Sequence, residues 1–207
     1  MIQFRDLKKQ YLALKPQIDA AVENVMLEAN FISGHQVDEL ESRLAGYVNV
    51  KHCVTCANGT DALKLAELVC DIEPGDAVFV PDFTFFSSAE TVAELRATPI
   101  FVDVDENTFN IDPIALETAI ENIKCGGKSA AKAVVVVDLF GLPANYDKIR
   151  KIADKYGLLI IEDGAQGFGG SINGRRACSF GDIATTSFFP AKPLGCYGDG
   201  GAVFTND

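Results

Sequence analysis

Apolar residues near the start of the chain recur every three or four positions, as they do along one face of a helix. Two such stripes are separated by a break at Ser33-Gly34. The first stripe consists of Ile18, Ala21, Val22, Val25 and Met26, and the second of Val37, Leu40, Leu44 and Tyr47. The pattern therefore predicts two helices before any sheet.

From about residue 52 onward, short apolar runs alternate with amphipathic segments. Predicted strands cover 52–56, 77–80, 100–104, 133–138 and 158–162, and predicted helices cover 61–70, 87–96, 113–123 and 146–156. The runs 134–137 and 158–161 are apolar throughout, which is typical of parallel strands covered by helices on both faces. Two further strands, 183–188 and 202–205, have no helix between them, so we expect an antiparallel pair there. The fold class is α/β, with a mainly parallel sheet and no internal boundary.

Composition and charge narrow the possible functions. The 207 residues include 18 Lys and Arg against 29 Asp and Glu, giving a net charge of −11. Such an acidic protein offers little to a polyphosphate backbone, so no nucleic acid partner is expected. No apolar run reaches the roughly 18 residues of a membrane span, and no signal segment follows the charged start. We therefore expect a cytoplasmic protein without membrane contact, with its six scattered cysteines reduced.

The cysteine and histidine patterns give little support to metal or hydrolytic chemistry. Cys53 and Cys56 have the spacing of half a zinc site, but alternation along a strand points them to opposite faces, and no second pair occurs. His35 and His52 are the only histidines and lie beside no nucleophile motif. No Walker or dinucleotide-binding glycine motif is present. We expect buried thiols and no metal site.

Ligands of open parallel sheets bind beyond the carboxyl ends of the strands, so the residues that follow each strand are candidates. Asn58-Gly59-Thr60 leads from a strand into a helix, where free amides, a glycine and a hydroxyl suit a phosphate group. The alternative is that Thr60 or Asp61 only caps the helix. Glu162 and Asp163 end another strand, and only one of them can face the cleft to hold a cation or a proton. The alternative there is a solvated carboxylate.

A lysine and a group of aromatic residues complete the candidates. Lys192 lies among phenylalanines, prolines and glycines, which favours an amine that attacks a carbonyl; the alternative is a lysine that extends from a loop into solvent. Phe83, Phe85 and Phe86 follow a strand and either stack on a planar ring or fill the core. Together, a phosphate cradle, an aromatic plate, a strand-end carboxylate and a lysine are the parts that hold pyridoxal phosphate as a Schiff base.

Several segments resemble the DegT/DnrJ/StrS family of sugar aminotransferases. They are 58–63, 162–166, 186–195 and 198–202, and the similarity extends to 4–7 and to the helix within 34–47. The resemblance implies fold type I of the pyridoxal phosphate enzymes, a homodimer with shared active sites and glutamate as the amino donor. It also implies an N-terminal arm over 1–15 and a cofactor-binding large domain over 16–207. A small C-terminal domain would then be absent from this chain, leaving the substrate site incomplete.

The same resemblance implies a role for each candidate residue. Lys192 would be catalytic, bonding the cofactor and moving a proton. The implied cofactor contacts are Gly59, Thr60 and Ser187 to the phosphate, Phe85 on the ring, Asp163 at the pyridine nitrogen and Gln166 at the ring hydroxyl. Phe31 would lie near the sugar.

Within the family, the run 193–201 most resembles enzymes that aminate C3 of a nucleotide-linked 3-keto sugar, including the 3-keto uronic acids of surface polysaccharides and lipopolysaccharide. Phe31 and Ala191 stand where such relatives often carry Tyr and Ser, so two hydroxyls are missing near the sugar. Lys192 argues against the branch of the family that has His in its place and removes a hydroxyl. The alternative is a non-catalytic binding or regulatory protein that keeps the fold. An oxidoreductase has only the α/β pattern in its favour.

Overall fold

The computed structural model describes residues 5–126 and 130–207. The first four residues of the predicted arm lie outside the described residues. They include Phe4, which belongs to one of the segments that resemble the family. The first helix is α1 (Leu7–Glu28), in which the Asp6 carboxylate accepts the N–H of Lys9 at 2.9 Å and caps the first turn. Helix α2 (His35–Val48) follows. Both predicted helices are confirmed, and α1 continues without a break past residue 15.

The predicted strands and helices that follow are all present, together with a short two-stranded hairpin that the pattern does not predict. They are β1 (His52–Cys56), α3 (Gly59–Val69), β2 (Asp76–Pro81), α4 (Ser87–Glu94), β3 (Thr98–Val102), α5 (Pro113–Gly126), β4 (Ala130–Val137), α6 (Tyr146–Tyr156), β5 (Leu159–Asp163), β6 (Ser171–Ile172), β7 (Arg175–Arg176), β8 (Ile183–Ser187) and β9 (Gly201–Thr205). The short hairpin β6–β7 stands apart from the main sheet.

The main sheet has seven strands in the order β1-β9-β8-β5-β4-β2-β3. Strand β9 runs antiparallel to both of its neighbours, and the other pairs are parallel. The expected antiparallel pair of β8 and β9 is therefore confirmed. Six strands point their carboxyl ends to one edge of the sheet, and β9 begins at that same edge. The loops after β1, β2, β4, β5 and β8 thus meet there.

The core lies on both faces of the central strands because their side chains alternate between two helical layers. Val134 and Val136 of β4 belong to the cluster that contains residues of α5 and α6. Val135 and Val137 belong to the cluster that contains residues of α3 and α4. The all-apolar sequence of β4 follows from this double coverage. A third cluster joins α2 to β8 and β9.

Among the residues that the structure describes, no helix is both long and apolar enough to cross a membrane.

Candidate active site

A cavity of about 1110 Å³ opens at the carboxyl edge of the sheet. Its walls come from the loops after β1, β2, β4, β5 and β8 and from the residues before β9. All of the predicted cofactor contacts line it, namely Gly59, Thr60, Phe85, Asp163, Gln166, Ser187 and Lys192. Phe31 is not among the lining residues: it is 59% exposed and lies between α1 and α2.

One wall of the cavity is the start of helix α3, packed tightly against β8. Asn58 caps this helix, with its Oδ1 accepting the N–H of Asp61 at 2.8 Å. The amides of Gly59 and Thr60 have no partner within the helix because they belong to its first turn. A Cβ atom on Gly59 would lie 2.6 Å from Cβ of Ser187, so only glycine allows this approach. The Thr60 and Ser187 hydroxyls flank the amides, so this arrangement, here called the anion cradle, fits a phosphate group.

The structure decides which strand-end carboxylate faces the cavity. Asp163 lines it and is only 5% exposed. Its Oδ1 accepts the N–H of Ala165 at 3.1 Å, and its Oδ2 accepts the hydroxyl of Ser88 at 3.0 Å. Burial raises the pKa of Asp163, while these two hydrogen bonds and the Lys192 charge lower it. Each oxygen of the buried Asp163 carboxylate therefore accepts one hydrogen bond, and lone pairs remain for a ligand.

Glu162 has a different role, on the other face of β5. Its carboxylate accepts the backbone N–H groups of Cys178, Phe180 and Gly181, with distances of 2.6 Å to Phe180 and 2.9 Å to Gly181. Burial raises the pKa of Glu162, and the three backbone hydrogen bonds lower it. Glu162 therefore anchors the segment that leads into β8, which carries Ser187 and precedes Lys192.

Asp138, directly after β4, is a buried carboxylate that sequence reasoning missed. Its Oδ1 accepts the hydroxyl of Tyr146 at 2.8 Å and the N–H of Ala144 at 3.1 Å. Burial and the neighbouring Glu162 raise the pKa of Asp138 well above its usual range. Its position at the end of an all-apolar strand was the available signal.

Gln166 and several aromatic rings form the opposite wall. The Gln166 Oε1 atom accepts the N–H of Phe140 at 2.9 Å, which leaves its NH₂ group as the donor available to a ligand. Phe85 is 57% exposed and lines the cavity together with Phe140, Phe168 and Phe189. Phe85 therefore does not fill the core, and the cavity has aromatic surface suited to a planar ligand.

Lys192 lies in the turn after β8, where its N–H donates to the carbonyl of Phe189 at 2.8 Å. Its side chain is half-buried and lines the cavity. Arg5 lines the same cavity and donates from Nη1 to the Lys192 carbonyl at 3.5 Å. Sequence reasoning missed Arg5 because nothing in the sequence connects the start of the chain to this loop.

The site lacks the ligands of a metal centre. Over 5–126 and 130–207, no group of three His, Cys, Asp or Glu residues is arranged to hold a metal ion, and the six cysteines are free thiols. The chemistry available is that of an amine beside a buried carboxylate and an anion cradle. These groups suit an α/β domain of the class that binds a phosphorylated carbonyl compound.

Comparison with known proteins identifies the family. The DegT/DnrJ/EryC1/StrS aminotransferase family matches residues 13–207, and the chain belongs to this family.

Individual relatives are similar in sequence or structure over the full length of this chain. It is 50% identical over 207 residues to the UDP-2-acetamido-2-deoxy-3-oxo-D-glucuronate aminotransferase of Pseudomonas aeruginosa, covering 100% of this chain and 56% of that protein. A DegT/DnrJ/EryC1/StrS aminotransferase from Brucella abortus superposes with a TM-score of 0.98 at 48% identity, covering 100% of this chain and 56% of the other. DesV of S. venezuelae, solved in complex with a ketimine intermediate, superposes with a TM-score of 0.93 at 39% identity. The match covers 100% of this chain and 54% of DesV. The chain spans about half the length of the curated relatives it matches.

Proposed function

We propose that this chain is the cofactor-binding part of a pyridoxal phosphate-dependent aminotransferase. It transfers an amino group from glutamate to C3 of a nucleotide-linked 3-keto sugar, including 3-keto uronic acids, for surface polysaccharide or lipopolysaccharide synthesis. The observation that carries the proposal is that Lys192, Asp163 and the anion cradle open onto one cavity. The P. aeruginosa relative is a 3-oxo-glucuronate aminotransferase by name, which supports the substrate class.

The residues of the cavity fit the cofactor. The amides of Gly59 and Thr60 and the hydroxyl of Ser187 hold its phosphate. Ser187 Oγ accepts the N–H of Phe189 at 3.2 Å and keeps its own proton for donation. The NH₂ group of Gln166 donates to the ring hydroxyl, and Phe85 covers the ring.

Asp163 and Lys192 carry the chemistry of this chain. Bound pyridoxal phosphate supplies an aldehyde and a ring that accepts electrons when its nitrogen is protonated. Asp163 would keep that proton on the ring nitrogen because a cation opposite a buried carboxylate further compensates its charge. The Lys192 Nζ atom would hold the cofactor through its aldehyde and would serve as the base and acid that takes up and returns a proton.

The proposal includes a cytoplasmic homodimer in which both copies contribute to each site. Large apolar side chains at the cavity rim support it: Phe85 is 57%, Phe86 61% and Phe140 70% exposed. Exposed aromatic side chains are enriched at protein interfaces.

Two reactions test the proposed function. In the complete enzyme that contains this chain, glutamate alone should convert the bound cofactor to its amine form, which is followed by absorbance. The enzyme with the aminated cofactor should then transfer nitrogen to one member of a panel of 3-keto and 4-keto nucleotide sugars. Binding of the cofactor without any reaction with glutamate would favour the non-catalytic, regulatory alternative.

Gly59→Ala is expected to weaken pyridoxal phosphate binding by at least about tenfold, because the new methyl group is forced into Ser187 and closes the cradle. Fluorescence titration of the cofactor measures it. The matched control is Gly46→Ala in α2, where a Cβ meets nothing within 4 Å. Equal affinities of the two variants would contradict the assignment of the cradle.

Arg5→Gln is expected to raise KM for the nucleotide sugar about tenfold, since Arg5 is a cation that lines the cavity in addition to Lys192. Arg5 would bind the anionic phosphate of the sugar; because glutamate is an anion as well, its reaction is measured separately. Steady-state kinetics and the separate glutamate reaction measure the two effects. Lys9→Gln on the exposed side of α1 is the control. An unchanged KM would remove Arg5 from the substrate site.

A further inference from the structure

Helix α3 carries a fully buried carboxyl group outside the cavity. Glu67 is 0% exposed, and its Oε1 lies 2.7 Å from Oγ1 of Thr91 on α4. Among the described residues, its Oε2 atom is buried without a hydrogen-bond partner. Leu63, Ala66 and Val92 of the same two helices belong to an apolar cluster. An ionised carboxylate with an unpartnered oxygen is costly in such surroundings.

The hydrogen bonds of Thr91 depend on whether Glu67 holds a proton. The Thr91 hydroxyl lies 2.7 Å from Glu67 Oε1 and 3.0 Å from the carbonyl oxygen of Ser87, and it has one hydrogen to donate. If Glu67 is ionised, Thr91 donates to it and the Ser87 contact carries no hydrogen. If Glu67 is protonated, it donates to Thr91, and Thr91 donates to Ser87. Both contacts of the Thr91 hydroxyl are therefore hydrogen bonds only when Glu67 is protonated.

This buried pair connects two helices that begin at the cavity. Helix α3 starts with Gly59 and Thr60 of the anion cradle, and α4 starts with Ser87 and Ser88. At the cavity, the hydroxyl oxygens of Thr60 and Ser87 are 2.9 Å apart. Glu67 and Thr91 join the same helices deeper in the core, about two turns further along α3. The two contacts together fix the spacing of the helix starts.

We propose that Glu67, in its protonated form, is a positioning residue that holds α3 against α4 and so keeps the anion cradle in shape. The inference rests on the proposed function only for the identity of the anion, pyridoxal phosphate. When Glu67 loses its proton, Thr91 still donates to it, but a buried charge with one unpartnered oxygen then lies between the helices. The cost of that charge favours separation of the two helices and so loosens the cradle.

The charges around Glu67 are consistent with a proton held near neutrality. Burial raises the pKa of Glu67 to about 7. The hydrogen bond from Thr91 and the Lys64 ammonium lower it, and Glu94 on α4 raises it further. Cys70 lies three residues after Glu67, and the pKa of its thiol is raised mainly by burial and partly by Glu67.

The strands that pack on α3 add no further influence on this pKa. Strands β8 and β9 have no titratable side chains. His52, Cys53 and Cys56 of β1 and Glu162 and Asp163 of β5 are not among the groups that shift it.

The direction of the pH effect follows from the raised pKa. Below about pH 4.5, the folded and unfolded chains both keep the Glu67 proton. Between 4.5 and about 7, only the folded chain keeps it, so the free energy of unfolding falls as the pH rises through this range. Above about 7 the folded chain carries the buried charge, and the cradle is at its loosest.

The test compares the unmodified chain with Glu67→Gln, Glu67→Leu and the exposed control Glu90→Gln between pH 6 and 8.5. Gln imitates the protonated acid and can donate to Thr91, whereas Leu removes the contact without a charge. Dissociation constants are measured for pyridoxal phosphate and for inorganic phosphate. NMR follows the amide signals of Gly59 and Thr60 in the cofactor-free protein.

At pH 6, we expect the unmodified chain to bind both anions as tightly as Glu67→Gln does. At pH 8.5, we expect it to bind them about tenfold more weakly than Glu67→Gln at the same pH. The Gly59 and Thr60 amide signals should shift with a midpoint near pH 7 in the unmodified chain and in Glu90→Gln, but not in Glu67→Gln. Glu67→Leu should bind weakly at every pH. A ratio of affinities that does not change with pH, amide signals without this midpoint, or tight binding by Glu67→Leu would each overturn the positioning role. Failure of every variant to bind pyridoxal phosphate would contradict the proposed function, while the phosphate and NMR results would still decide the role of Glu67.

Discussion

Lys192→Ala is expected to lower the rate of amino transfer by about 10⁴-fold, because the substitution removes both the amine that bonds the cofactor and the group that moves the proton. The fold should persist, since the Lys192 contacts in the described structure use its backbone atoms. Single-turnover absorbance with glutamate measures the rate, and thermal unfolding checks the fold.

The matched control is Lys148→Ala, an exposed lysine on α6. It should leave the rate unchanged. A Lys192→Ala variant that still reacts within about tenfold of the unmodified rate would show that another group performs the proton transfer.

Asp163→Asn is expected to lower turnover by about 10³-fold, the size of effect that one well-placed electrostatic contact has on a reaction. Asn fits the same hydrogen bonds: its Oδ1 accepts from Ala165, and its NH₂ donates to the Ser88 oxygen. The neutral Asn side chain cannot stabilise the protonated, charged form of the ring nitrogen. Because burial raises the pKa of Asp163, removing its charge should not destabilise the cofactor-free chain.

Three measurements separate these effects: turnover, the absorbance spectrum of the bound cofactor and the thermal unfolding of the cofactor-free chain. The exposed carboxylate just after β2 provides the control, as Asp82→Asn. A loss of stability that accompanies the loss of turnover would mean that Asp163 acts mainly on the fold.

The sequence predicts most of the sheet because its signals are local. Strand β1 occupies 52–56 as expected, and β4 is found where four consecutive valines predict it. The antiparallel β9 follows from the missing helix after β8. Helix α1 begins at Leu7, eleven residues before the first residue of the apolar stripe, Ile18. It begins there because the Asp6 side chain caps its first turn.

Other features depend on contacts between distant parts of the chain. Alternation could not decide between Glu162 and Asp163, since the choice of face depends on which strands flank β5. Glu67 reads as a polar residue on an amphipathic helix, and it is buried only because α4 packs over it. Phe31 was expected near the sugar and lies outside the cavity lining of this chain.

The lysine that bonds the cofactor is identified by reduction of the cofactor-loaded chain with borohydride, followed by mass mapping of its peptides. We expect the pyridoxyl mass on Lys192, and the same result with Lys148→Ala. A cofactor mass on any other lysine, or on none, would contradict the proposed function.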